Sequence, residues 1–166
     1  MRNTYEIRAE RFIHQIYDFI CDCECVEDYE YAVKVFNYEC RRKVKVKHGL
    51  TRVVLITSDY VVKIDCGRLD WREQFGGCAN EFEIYEQAEN AGFAYLFAKP
   101  TAVEYKGRKF CVMPRIHGIG LEDDDADYFL TPKEDRWVSS RVFDLHNGNY
   151  GWKDGHPVLF DYAASR

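Results

Sequence analysis

The chain has 166 residues, 46% of them hydrophobic and 16% aromatic, which excludes a disordered polymer and is enough for a core without staples. Its net charge of −5, from 23 basic and 28 acidic residues, weighs against generic nucleic-acid binding, which needs a basic surface. No apolar run reaches the roughly 18 residues of a membrane span, and the start MRNTYEIRAERF lacks the apolar segment of a signal peptide. The expectation is one soluble, cytoplasmic domain with neither nucleic acid nor membrane among its partners.

Residues 5–21 read as an amphipathic helix with Ile7, Phe12, Ile13, Ile16, Tyr17 and Ile20 on one side. A second helix is expected over 27–41 from Tyr29, Ala32, Val33, Phe36 and Cys40. Between them, CDCEC carries Cys21, Cys23 and Cys25, three of seven cysteines in the chain. Structural zinc favours C-x-x-C pairs and four ligands, and no second pair at such spacing lies nearby. Ordinary reduced thiols near a helix end are therefore expected, with a metal site as the alternative.

The pattern then changes. KVKVKHGLTRVVLITSDYVVKIDC gives strand-like runs over 43–48, 51–57 and 60–65, the last two separated by the turn pair Ser58-Asp59. RRKVKVKH, 41–48, reads as an edge strand with Val44 and Val46 inward and its lysines solvated; a phosphate-binding patch is the alternative. GGCANEFEIYEQAENAGF reads as a helix preceded by Gly76-Gly77, capped by Asn80 and ended by Gly92, with Phe82, Tyr85 and Ala88 at helical spacing. TAVEYKGRKFCVMPRI supplies two more strands turning at Lys106-Gly107. An acidic run, EDDDAD over 122–127, reads as a solvated loop or as a patch for a basic partner. A short helix starts near Thr131-Pro132 and runs to about Ser140, with Pro at its first position. The tail is loop, strand, loop, strand, with a turn at Lys153-Asp154-Gly155.

Chemistry-bearing residues fall at regular places in this order. Lys63 lies inside the third strand between apolar neighbours; a lysine turned inward there needs an anion, and a strand lysine facing solvent is the alternative. Glu81 follows 18 positions later on the helix, with Glu83 and Glu86 as alternatives for its partner. Asp144 and Asn149 stand five apart in the glycine-containing loop DLHNGN. Asp161 follows an apolar strand, 17 residues past Asp144, where a carboxylate can chelate magnesium.

Three antiparallel strands, a helix and two further strands make the N-lobe layout of the protein-kinase-like superfamily. With VVKID, ANEFEIYE, DLHNGN and LFDYA in that order, the chain resembles this superfamily over residues 43–162. It is nearest in motif to the aminoglycoside phosphotransferase and choline-kinase-type branch, whose catalytic loop reads D-L-H-x-G-N. The resemblance implies an α+β fold: an N-terminal helical segment, 1–42, an N-lobe, 43–116, and a much reduced C-lobe, 117–166. It implies ATP and Mg2+ as cofactors, with Lys63 on the phosphates and Glu81 as its partner. Asp144 would be the general base, with Asn149 and Asp161 holding the metal. Residues 112–116 would receive adenine through backbone groups, with Met113 near the entrance.

The sequence departs from the family pattern in places. The glycine-rich loop is reduced to HGLTRV with Gly49 alone, which weakens the backbone cradle for phosphates. Val142 stands where the family carries His two residues before the catalytic Asp, and the Asp-Phe-Gly analogue is Asp161-Tyr162-Ala163. His146 is expected to bond loop backbone, with direct chemistry as the alternative. Little chain follows Asp161, so the acceptor surface is expected from the N-terminal helices, residues 117–140, a homodimer or a protein partner. Two functions follow. One is a compact kinase passing the ATP γ-phosphate to a hydroxyl. The other is a non-catalytic, pseudokinase-type module that engages a partner protein. Small Cys- and Tyr-rich kinase-like chains resemble those found in phage genomes, which implies a host factor as that partner.

Overall fold

Helix α1, Thr4–Ile20, and helix α2, Val26–Cys40, form where the apolar spacing predicts them. α1 buries Ala9, Phe12, Ile13, Ile16 and Ile20, and α2 buries Tyr29, Ala32, Val33 and Phe36. Ile7, expected inward, is 42% exposed. The Phe12 and Phe36 rings meet edge to face at 5.8 Å between centroids, a favoured aromatic geometry. The start of α2 is held by Asp28, whose carboxylate accepts from the Glu24 and Cys25 N–H groups at 3.3 and 3.2 Å. α2 ends with Arg41 in the left-handed conformation, φ 51°. The computed structural model describes residues 4–49, 51–66, 77–116, 130–142, 145 and 147–162. Asp144, His146, Gly76, Ala163 and the acidic run 122–127 lie outside the described residues.

The strands are β1, Lys45–His48; β2, Arg52–Ile56; β3, Tyr60–Asp65; β4, Thr101–Tyr105; and β5, Arg108–Pro114. They form one antiparallel sheet in the order β1-β2-β3-β5-β4. Side chains alternate between faces along each strand, and cross-strand register fixes which ones share a face. Val46, Leu55, Val62 and Val112 lie in one row, with Val53 and Ile64 beside them. This face joins α1 and α2 in one hydrophobic core. Each fully buried Ile, Leu or Phe there contributes roughly 1.5–3 kcal/mol. The opposite face carries the row Lys47, Val54, Lys63, Cys111, Ala102 and the row Lys45, Ile56, Val61, Met113.

β4 and β5 turn through Lys106 and Gly107, both at positive φ (48° and 78°), as a tight right-twisting hairpin requires. Val44, just before β1, is clamped by one side chain. Asn37 of α2 donates to its carbonyl at 2.8 Å and accepts from its N–H at 2.9 Å.

The chain divides into two compact units. Met1–Gln74 and Thr101–Arg115 form the first, which holds α1, α2 and the sheet. Phe75–Pro100 and Ile116–Arg166 form the second. It holds helix α3, Cys78–Ala91; helix α4, Pro132–Ser139; and the hairpin of β6, Tyr150–Lys153, with β7, His156–Leu159.

α3 starts at Gly77 rather than Asn80; Asn80 sits in the first turn, its N–H donating to the Gly77 carbonyl at 3.1 Å. Gly92 ends the helix at φ 78°, as expected. α4 has the expected Pro at its first position and a reciprocal cap. Thr131 Oγ1 accepts from the Glu134 N–H at 3.3 Å, and the Thr131 N–H donates to the Glu134 carboxylate at 2.5 Å. The Phe93 and Phe97 rings pack on Trp137 of α4, with centroids at 5.4 and 5.9 Å. Phe97 also bridges in parallel to Leu159 of β7, and the Ala98 N–H donates to the Leu159 carbonyl at 2.7 Å. No helix among the described residues is long and apolar enough to cross a membrane.

Candidate functional site

In the first unit, Lys63 sits mid-strand on β3, on the sheet face turned away from α1 and α2. It is 3% exposed. Met113, on the same face in the next row, is fully buried within β5. Gly49 lies at the β1–β2 turn, where its N–H donates to the Arg52 carbonyl at 2.9 Å. It does not take a left-handed conformation, and a Cβ there would meet nothing within 4 Å. The fold itself places no demand for glycine at this position. Thr51, in the same turn, is buried, and its carbonyl accepts from the Cys66 N–H at 2.9 Å.

In the second unit, the β6–β7 hairpin sets the geometry. Its turn is Asp154-Gly155, both at positive φ (53° and 85°), and Tyr150 pairs with Leu159. One step beyond, the Phe160 N–H donates to the Asn149 carbonyl at 2.9 Å. The ladder thereby extends to the 3-10 turn Asn147–Asn149 and sets Asn149 beside the segment that carries Asp161. Asn149 is buried and Asp161 half-buried.

Glu81 belongs to the inward stripe of α3, with Cys78, Ile84 and Ala88. It is fully buried, whereas Glu83 and Glu86 are exposed. The Tyr162 N–H donates to its Oε1 at 3.5 Å. Tyr162 is itself buried. Its hydroxyl donates to the Ala98 carbonyl at 2.7 Å, and its ring stands edge-on to Phe97 at 4.9 Å. The hairpin thus brings Asn149 alongside Asp161, and Tyr162 ties that segment to Glu81. None of Lys63, Glu81, Asn149 and Asp161 is without a partner in the structure.

Sequence reasoning missed two of these features. The sequence reading places Thr51 at the start of the strand run 51–57 without a role, and it gives the hydroxyl of Tyr162 no anchor. A signal existed for the second: a tyrosine directly after Asp161, in a segment read as buried strand end, needs a partner for its O–H.

All seven cysteines are free thiols. Burial pushes the Cys23 thiol above its ordinary value, and the Asp28 charge adds to this. Among the described residues no group of three or more His, Cys, Asp or Glu side chains stands ready for a metal ion. Asn149 and Asp161 nonetheless supply the hard oxygen donors that magnesium prefers, and magnesium is commonly held by one or two protein oxygens with phosphates and water completing the shell.

Three antiparallel strands, a helix, then two strands that complete the same sheet with β5 inserted beside β3 give the element order that the sequence resemblance implies. The structure is similar to Lpg2603 kinase of Legionella pneumophila, solved bound to IP6. The TM-score is 0.44 with 15% identity, over 74% of this chain and 48% of that one. It is also similar to APH(2'')-IIa in a ternary complex with streptomycin and ATP. There the TM-score is 0.34 with 22% identity, over 62% of this chain and 33% of that one. The chain spans about half or less of the length of these solved chains. The sequence matches no family model and no curated protein.

Proposed function

We propose that the chain is a magnesium-dependent phosphotransferase that passes the ATP γ-phosphate to a hydroxyl acceptor. The observation that carries this is where the chain buries polarity. Among the described residues, the buried polar side chains are Thr51, Lys63, Glu81 and Asn149. Three of them are residues that the sequence motifs assign to the phosphates (Lys63), to the lysine's partner (Glu81) and to the metal (Asn149), and the fourth lies in the Gly49 turn. Burying an amide or hydroxyl costs about 2–7 kcal/mol when it is uncompensated, and burying a charge costs more, so such groups are kept inside only with partners, as Lys63, Glu81 and Asn149 are. A chain that keeps such groups inside at motif positions has a use for them.

In this function Lys63 holds the α/β-phosphates and Glu81 keeps its ammonium in place. Asn149 and Asp161 hold magnesium, and Asp144 takes the proton of the acceptor hydroxyl. Magnesium, when bound, bridges phosphate oxygens and neutralises their charge. Gly49 and Met113 border the nucleotide, and a protein partner or a second copy of the chain supplies the acceptor surface.

Thermal unfolding with and without magnesium and ATP tests the proposal. At a hundredfold its dissociation constant, ATP should add about 2.7 kcal/mol, and Asp161→Asn should lose most of that gain. A native chain that shows no stabilisation would reject nucleotide binding. Transfer of labelled γ-phosphate then tests the chemistry, which Asp144→Ala should abolish. One observation favours the second function, a non-catalytic module engaging a partner protein. Val142 is buried where the family carries a histidine two residues before the base. ATP binding without transfer to any hydroxyl acceptor would select it.

A further inference from the structure

The β1–β2 turn is too poor in glycine to wrap phosphates with backbone amides, and the structure adds a second reason. The N–H of Gly49 is already spent on the Arg52 carbonyl, at 2.9 Å. A polyphosphate near this turn therefore cannot be cradled by that amide, and its charge must be met by side chains. The register of the sheet says which. Lys47 pairs with Val54, and Val54 with Lys63, so the two lysines share one face with a single strand between them. Their strands are about 10 Å apart at the usual spacing, a span that two long flexible side chains bridge readily onto one polyphosphate. Arg52 lies on the same face but has the carboxylate residue Asp65 as its cross-strand register partner. Lys47 and Lys45 face Val54 and Ile56, so neither has a carboxylate across from it. Lys47 stands in the Lys63 row and is the nearer of the two to the turn.

We propose that Lys47 is a second polyphosphate-binding side chain, supplying by charge what the Gly49 turn does not supply by backbone. The proposal rests on the nucleotide-binding function above. Lys63 is buried and fixed in position, whereas Lys47 is exposed at the sheet edge and free to close on the outer phosphates. Selectivity then follows phosphate number: ATP gains from Lys47 and a nucleoside monophosphate gains little.

Calorimetric titration of magnesium-ATP and of AMP separates the possibilities, using the native chain, Lys47→Gln, Lys47→Arg and, as a matched charge control, Lys34→Gln on the exposed side of α2. Loss of a charge-assisted contact should weaken ATP binding about tenfold in Lys47→Gln. AMP should be unchanged within twofold, Lys47→Arg should bind ATP close to native, and Lys34→Gln should match native for both ligands. Lys47 is exposed, so each variant should unfold at the native temperature without ligand. If the native chain binds ATP and Lys47→Gln binds it equally well, the assignment of Lys47 is overturned while nucleotide binding stands. A tenfold loss in Lys34→Gln as well would reduce the effect to general surface charge and overturn it too. A native chain that binds no ATP overturns both.

Discussion

The main-chain N–H of Tyr162 donates to the carboxylate of Glu81 at 3.5 Å, joining the segment after β7 to the inward stripe of α3. A fully buried carboxylate that takes a backbone hydrogen bond has two separable properties: it accepts, and it carries charge. Glu81→Gln keeps the acceptor and nearly the volume. Glu81→Ala removes both and leaves a buried N–H short of a partner. The expected cost in urea unfolding is about 1–3 kcal/mol for Ala and clearly less for Gln. Phosphate transfer should fall in both, because the charge on Glu81 orders Lys63 in the proposed function. Full transfer by Glu81→Gln would remove the charge from the mechanism and leave Glu81 a structural acceptor.

The same residue explains where the sequence was and was not legible. The strands were readable because their turns are chemically marked: Lys106-Gly107 and Asp154-Gly155 sit at the positive-φ positions that hairpins demand. The helices α1 and α2 were readable because their inward stripes are apolar throughout. α3 was read with its stripe displaced, onto Phe82 and Tyr85, which are half-buried. A hydrophobic pattern cannot count a glutamate as inward, and Glu81 is. The start of α3 was misplaced for a related reason. Asn80 is a good cap by type, but a glycine also caps, and Gly77 takes that position. The return of the chain from α3 to the sheet at Thr101 is a long-range event that no local period records.

Tyr162 offers a cleaner measure of the hairpin's anchorage. Its hydroxyl donates to the Ala98 carbonyl at 2.7 Å, and both groups are buried. Tyr162→Phe keeps the ring against Phe97 and deletes that bond alone. Chemical denaturation should register a loss of about 1–2 kcal/mol. Under the proposed function, the stabilisation by magnesium and ATP should also shrink, because Asp161 is the preceding residue. A variant as stable as native would mean that the Ala98 carbonyl finds another donor.

Asn37 gives a prediction in the first unit. Its amide satisfies both main-chain groups of Val44, one residue before the sheet edge begins. Asn37→Leu fills similar space and makes neither bond. Two hydrogen bonds at about 1 kcal/mol each set the expected loss near 2 kcal/mol. Asn37→Asp keeps the bond to the Val44 N–H and turns the other into an oxygen–oxygen contact, so it should destabilise at least as much near neutral pH. Amide exchange read residue by residue should localise the change, with the Val44 N–H losing protection first.

The pair Tyr95 and Glu134 gives the second unit a pH-dependent contribution at each end of the scale. The Tyr95 hydroxyl donates to the Glu134 carboxylate, and that bond pushes the phenol up to about 12 while burial adds to the shift. The same bond holds the Glu134 carboxyl below its ordinary 4.5, helped by the Thr131 N–H at the α4 cap. The two shifts act at opposite ends of the pH scale. As pH falls below 4.5, the unfolded chain takes up the Glu134 proton first, so stability contributed by Glu134 is lost as pH drops through the folded value. As pH rises above 10, the unfolded chain releases the Tyr95 proton first, so stability contributed by Tyr95 is lost between 10 and about 12. Tyr95 is half exposed, so solvent screens both effects and the slopes are shallow. Melting temperature against pH should therefore decline gently at each end. Tyr95→Phe should remove the alkaline decline due to this residue and reduce the acid one, which the cap at Thr131 still supports. An unchanged alkaline limb in Tyr95→Phe would place the titrating phenol elsewhere, at Tyr29 or Tyr60, whose hydroxyls burial also pushes upward.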